Sequence, residues 1–257
     1  MKLIPDFGQA RVDPSPNHGE RVGCAAPDMI ILHYTGMADD TKALSWLKNI
    51  ESEVSSHYFV WPDGRVVQMV PEERRAWHAG KSVWAGETDI NSHSIGIEIA
   101  NAGHPGGLPD FPPEQIEAVI ALCRDCAERW RIAPERVLGH SDVAPRRKVD
   151  PGERFPWARL SAAGVGHYVE PAPIRSGRYF QRGEAGQPIE ALQGMLALYG
   201  YGLDITGSFC DRTEAVVEAF QRHFRPERVD GIADISTIDT LHRLLAALPR
   251  FQGTDEA

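Results

Sequence analysis

Apolar residues recur along the chain in two rhythms. In "MIILHY", residues 29–34, they run almost unbroken and stop at Thr35-Gly36, as in a buried strand. "SIGIEIAN", residues 94–101, is rich in isoleucine and alternates. Ile95, Ile97 and Ile99 fall on one side of that strand, and Gly96, Glu98 and Ala100 on the other. "HYFVWPDGRVVQMV" predicts two strands joined at Pro-Asp-Gly. "RVLGH" predicts a short strand running into a loop at His140. Other segments carry the helical period. "DDTKALSWLKNI" has Asp39 or Asp40 near its N-cap. "PPEQIEAVIALCRDCAERWRI" places Ile116, Val119, Ile120, Cys123, Ala127 and Trp130 on one face. Strands and helices alternate and a hairpin is included. The pattern therefore predicts an α/β fold, a central mixed β-sheet flanked by helices.

Beyond "RFPWARL" the rhythm changes. "GHYVEPAPIRSGRYFQRGEAG" has little periodicity and several Pro and Gly, as a connector would. From residue 187 the chain reads as helical, with three apolar stripes. They are Ile189, Leu192, Leu196 and Tyr199; then Val216, Val217, Phe220 and Phe224; then Ile238, Leu241, Leu244, Leu245 and Leu248. A small C-terminal three-helix bundle is expected. The boundaries are an N-terminal extension over 1–27, polar and wrapped on the surface; the α/β unit over 28–168; a linker over 169–184; the helical unit over 185–250; and a disordered tail over 251–257.

Composition narrows the partners. The net charge of −9 argues against nonspecific binding to nucleic acid or anionic membranes. No run of residues is apolar enough to span a membrane. The start, "MKLIPDFGQARVDPSPNHGE", has no apolar core of a secretory signal. The expected compartment is the cytoplasm, with the periplasm or outer membrane as the alternative for a precursor already trimmed. Cys123 and Cys126 form a C-x-x-C late in a predicted helix. A redox pair would sit at a helix N-terminus, so reduced packing residues are expected.

The candidate chemistry gathers at strand ends. His33 and His140 both lie near the C-terminal ends of predicted strands, and Asp150 comes later on the loop "GHSDVAPRRKVDPG". Two His and one Asp with an open fourth position form a catalytic zinc set. Spacing alone does not select them: His57, His78, His93 and His104 compete, and each could be a packing residue. Glu98 interrupts an apolar strand, as either a solvent-facing or a catalytic carboxylate. Asp142 orients a ligand histidine or is a turn residue.

A resemblance separates these readings. "IILHYTG", "SSHYFVWPDGRVVQMVPEERRAWHAG", "NSHSIGIEIAN" and "GHSDVAPRRKVDPG" resemble, in order, the motifs of the zinc-dependent N-acetylmuramoyl-L-alanine amidases. This is the type 2 family, related to peptidoglycan-recognition proteins and to phage amidases of the T7-lysozyme kind. The resemblance implies one Zn2+ per chain on His33, His140 and Asp150, a catalytic carboxylate at Glu98 and a catalytic lysine at Lys148. It implies peptidoglycan fragments as the partner, and no protein partner is inferred. Trp77, His78 and Asn91 are assigned to the substrate cleft, and Arg147 to a carboxylate of the stem peptide. Ser56 stands where phage and animal relatives often carry Tyr, and Asp150 where they carry Cys. Both departures resemble bacterial recycling and outer-membrane amidases. "IEALQGMLALYGY", "GSFCDRTEAVVEAFQRHF" and "VDGIADISTIDTL" together resemble a three-helix peptidoglycan-binding module. The expected reaction is hydrolysis of the amide between N-acetylmuramic acid, in its 1,6-anhydro form, and L-alanine. The competing readings are a non-catalytic recognition protein on the same fold, and a zinc hydrolase of another amide.

Overall fold

The computed structural model of the protein describes residues 4–248. The expected tail over 251–257 lies outside them. The strands are β1 (Arg11–Val12), β2 (His18–Gly19), β3 (Met29–Tyr34), β4 (Tyr58–Val60), β5 (Val66–Gln68), β6 (Arg75–Ala76), β7 (Ser94–Ile99) and β8 (Val137–Gly139). Six of them form one sheet in the order β1-β5-β4-β7-β3-β8. β4, β7, β3 and β8 run parallel; β5 is antiparallel to β4, so the sheet is mixed as expected. The helices are α1 (Asp40–Leu47), α2 (Ile90–His93), α3 (Pro113–Trp130), α4 (His140–Val143), α5 (Trp157–Ala162), α6 (Gln187–Tyr199), α7 (Asp211–Phe224) and α8 (Ile235–Ala246).

The alternation in β3 and β7 decides what covers each face. Ile30, Leu32, Ile95, Ile97 and Ile99 point to one side and pack with Ile116, Val119, Ile120 and Cys123 of α3 and with Trp157 and Leu160 of α5. Cys123 is unpaired and buried in the core face expected of it, and Cys126 is unpaired and buried as well. Met29 and Ile31 point to the other side and share a core with α6, α7 and α8. All three C-terminal stripes close on this core. Its heart is an aromatic cluster in which Trp84 meets Tyr201 edge-on at 4.9 Å and Phe220 lies 5.1 Å from Phe224. Such pairs contribute about 0.5–1.5 kcal/mol each beyond their burial. The helical unit is therefore welded to the sheet, on the face that also carries His33.

Three segments differ from expectation. The N-terminal extension does more than wrap the surface: β1 adds an edge strand beside β5 and β2 pairs with β6. Arg21 reaches inward, donating to the carbonyls of Glu72, Ser92 and Ser94. The three carbonyls come from the loop at Glu72, from α2 and from the start of β7, and one guanidinium satisfies them together. The segment after residue 168 is stitched to the helices: Ala172 N–H donates to Thr240 Oγ1, and Phe180 bridges Ala233. Finally, the loop beginning at His140 opens with one helical turn, α4, despite its prolines, because Pro145 and Pro151 lie beyond it.

Candidate active site

The parallel register of β3 and β7 pairs His33 with Glu98, so both side chains leave the sheet together. β8 delivers His140 as the first residue of α4, and the Ser141 N–H donates to the Asp150 carbonyl, drawing the far end of the loop back. The result is a buried triangle. His33 Nδ1 lies 2.9 Å from His140 Nδ1 and 3.1 Å from Asp150 Oδ2, and His140 Nδ1 lies 3.0 Å from Asp150 Oδ2.

The surrounding hydrogen bonds fix where the protons are. Ser94 Oγ gives its proton to the Ile90 carbonyl at 2.5 Å, so it accepts from His78 Nε2 at 3.2 Å. His78 Nδ1 then carries a lone pair and accepts from His33 Nε2 at 3.0 Å. That leaves His33 Nδ1 with a lone pair too. On the other side His140 Nε2 donates to the Ala79 carbonyl at 3.0 Å, so His140 Nδ1 is likewise bare. Two imidazole lone pairs and a carboxylate oxygen thus converge with no proton between them. Burial, then the neighbouring His140, lowers the His33 pKa to about 4, which keeps it neutral at pH 7. The Asp150 carboxylate, buried beside them, supplies the anionic oxygen. A neutral-nitrogen and anionic-oxygen set of this kind needs a cation at its centre. His33, His140 and Asp150 are the residues that would hold a metal ion.

The triangle lies in the wall of a cavity of about 310 Å³. Glu98, Lys148, Trp77 and His78 line it. Glu98 Oε2 is buried and has no hydrogen-bond partner. Burial, then the Asp150 charge, raises the Glu98 pKa well above its ordinary value, while Lys148 pulls it down. An unpartnered carboxylate with an elevated proton affinity suits proton transfer. The cavity also has walls that the sequence did not reveal: Tyr34, Thr35, Trp46, Val54 and Ser55. Trp46 is 51% exposed on α1. In the sequence it falls on the same helical stripe as Ala43 and Leu47, so nothing local marked it as a cleft residue.

Two assigned residues do not reach the cavity. Asn91 is buried behind it, and its Oδ1 accepts the N–H groups of His78 and Ala79 at 3.0 and 2.7 Å. It shapes the turn that presents His78. Arg147 lies on the far side of His140, where Nη2 donates to the carbonyls of Ala79 and Lys81. The basic run leaves the cavity at Arg147 and enters it at Lys148.

Residues 23–153 match the N-acetylmuramoyl-L-alanine amidase family, and residues 185–241 match the family described as "Putative peptidoglycan binding domain". The chain is 38% identical over 223 residues to the N-acetylmuramoyl-L-alanine amidase AmiD of Escherichia coli, covering 81% of this chain and 79% of that protein. The chain belongs to the N-acetylmuramoyl-L-alanine amidase family. Its fold agrees. The E. coli AmiD structure, solved with anhydro-N-acetylmuramic acid-L-Ala-D-γ-Glu-L-Lys as substrate, superposes with a TM-score of 0.71 at 36% identity. That match covers 89% of this chain and 97% of AmiD. AmpDh3 of Pseudomonas aeruginosa, solved with an anhydromuramic pentapeptide, superposes at 0.69 with 30% identity, covering 90% of this chain and 93% of AmpDh3. Among the described residues of this amidase, no helix is long and apolar enough to cross a membrane.

Proposed function

We propose that this amidase holds one Zn2+ on His33 Nδ1, His140 Nδ1 and Asp150 Oδ2 and cleaves the amide between 1,6-anhydro-N-acetylmuramic acid and L-alanine, in peptidoglycan recycling or turnover. The observation that carries the metal reading is the convergence of three unprotonated donor atoms within 3.1 Å of one another. The ligands of the solved AmiD and AmpDh3 complexes support the substrate. Zinc, when bound, polarises the scissile carbonyl and brings the acidity of a water toward neutral pH. Glu98 Oε2 takes the proton of the attacking water, holds it in a buried setting that favours the protonated form, and delivers it to the departing alanine nitrogen. The Lys148 ammonium faces the oxygen that gains charge. Trp46 and Trp77 offer flat apolar walls for the sugar and the first peptide residues. Residues 28–168, with the N-terminal extension completing the sheet, form the catalytic unit, and the helical unit begins at 185, joined by 169–184. All four cysteines are unpaired, which fits the reducing cytoplasm; cell fractionation that recovers the protein from the periplasm overturns that placement.

The test of the metal reading is elemental analysis of purified wild type and of a His33→Ala/His140→Ala/Asp150→Ala variant. One zinc per wild-type chain and none in the variant is expected. Full zinc in the variant overturns the assignment.

A further inference from the structure

The residue left open by the sequence, Asp142, lies two positions beyond His140 in α4 and is fully buried. Its carboxylate accepts three hydrogen bonds. One is local: the Gly139 N–H donates to Oδ2 at 2.7 Å, closing the first turn of α4. The other two come from the C-terminal helical unit. Tyr201 Oη–H donates to Oδ1 at 2.7 Å, and His223 Nδ1–H donates to Oδ2 at 2.7 Å. The His223 ring is clamped between Trp157 of the catalytic unit, 3.6 Å away between centroids, and Phe224, 3.8 Å away.

A four-residue helix has no stability of its own, because nucleation costs more than its one or two hydrogen bonds return. The direction of α4, and with it the aim of the His140 ring, must be set by what grips it. A second route ends on the same ring. The carbonyl that fixes the His140 tautomer belongs to Ala79. Farther along that loop, the Val83 N–H donates to the Val143 carbonyl, and the Ala85 N–H donates to the Gly200 carbonyl at 2.7 Å. Trp84 closes against Gly200, where an added Cβ would lie 2.5 Å from its ring.

We infer that the C-terminal helical unit is a working part of the metal centre, with Tyr201 and His223 as positioning residues that act through Asp142 to aim His140. The inference rests on His140 being a metal ligand, as proposed above. It gives the helical unit a task separate from any binding of cell-wall polymer. Loss of a hydrogen-bonding partner behind a ligand weakens metal affinity by about 10- to 100-fold.

The experiment measures zinc affinity and release rate by chelator competition on the full chain, below the melting temperature of every variant. His223→Leu and Tyr201→Phe remove one donor each. His223→Asn keeps an amide N–H near the position of Nδ1. Leu196→Ala, a core truncation in α6 that does not touch Asp142, controls for loss of stability alone. Expected are zinc affinities weaker by up to about 10-fold in His223→Leu, the low end of the loss for a partner bonded directly to a ligand, weaker in Tyr201→Phe, largely restored in His223→Asn and unchanged in Leu196→Ala. If His223→Leu does not fold, Tyr201→Phe against Leu196→Ala decides. Wild-type affinity in Tyr201→Phe and His223→Leu overturns the inference while leaving the zinc reading intact. A wild type that binds no zinc overturns the zinc reading itself.

Discussion

Gly96→Ala is a single methyl group aimed from behind at the proposed metal site. Gly96 lies two residues before Glu98 on the same side of β7, and the ring of His78 rests directly on it. An added Cβ would lie 2.4 Å from His78 Cγ, 2.5 Å from Cδ2 and 2.7 Å from Nδ1. Carbon atoms in contact sit about 3.5–4.0 Å apart, so the ring must withdraw by roughly 1 Å. That motion breaks the hydrogen bond from His33 Nε2 to His78 Nδ1, the bond that turns the His33 lone pair toward the metal position. Overpacking of this kind costs about 1–3 kcal/mol, against a backbone-entropy gain of about 0.4–1 kcal/mol for Gly→Ala in an ordinary strand conformation. The net change is destabilising, and zinc affinity falls by about 10- to 100-fold. Urea denaturation and chelator competition measure the two quantities. The decisive comparison is the His78→Ala background, where the clash is gone and Gly96→Ala should become neutral or stabilising. If Gly96→Ala is as stable as wild type and holds zinc as tightly, the proposed support of His33 by His78 is refuted.

The same geometry yields four further expected outcomes. Glu98→Gln should retain one zinc and lose about 10²–10⁴ in turnover, read by product formation beside metal analysis; metal loss would make Glu98 a structural residue instead. Lys148→Ala should keep its zinc while turnover drops by about 10²–10³; a metal-free variant would contradict its place opposite the reacting oxygen. Trp46→Ala should raise KM about fivefold with a smaller change in kcat, the loss of about 1 kcal/mol of aromatic contact; an unchanged KM would remove Trp46 from the cleft wall. Burial, then Arg21, lowers the buried His57 pKa to about 3, and its Nδ1 accepts the Gly96 N–H. Below the unfolded histidine value of about 6.5 the unfolded chain therefore takes up a proton that the folded one refuses. Stability of the metal-free protein should fall as pH drops from about 6.5 toward 3, by on the order of 4 kcal/mol from this group. Urea melts at pH 7 and pH 4 that coincide would contradict it.

The sequence carried the sheet because its signals are local. Alternation in "SIGIEIAN" separated Glu98 from its isoleucines, and the structure puts those isoleucines against α3 and Glu98 in the cavity. The C-terminal stripes were legible for the same reason. What was not legible is contact between distant residues. Asp142 meets partners 59 and 81 positions away, so nothing near it in the chain marks it as a junction between the units. Arg147 looked like a carboxylate-binding residue from its neighbours alone, but the carbonyls of Ala79 and Lys81 claim its Nη2. Asn91 sits beside the cleft in sequence yet turns away from it, because two unpaired N–H groups of the His78 turn need an acceptor. The hydrogen-bond chain Ile90–Ser94–His78–His33 depends on ring orientations that no spacing rule encodes.

The most direct test of the account is mass spectrometry of a defined anhydro-N-acetylmuramyl tripeptide incubated with the zinc-loaded, the chelator-stripped and the zinc-restored protein. The account predicts free anhydro-N-acetylmuramic acid and an intact tripeptide beginning at L-alanine, formed by the loaded and restored protein and not by the stripped one. Intact substrate in all three samples, or cleavage that persists without metal, would contradict it.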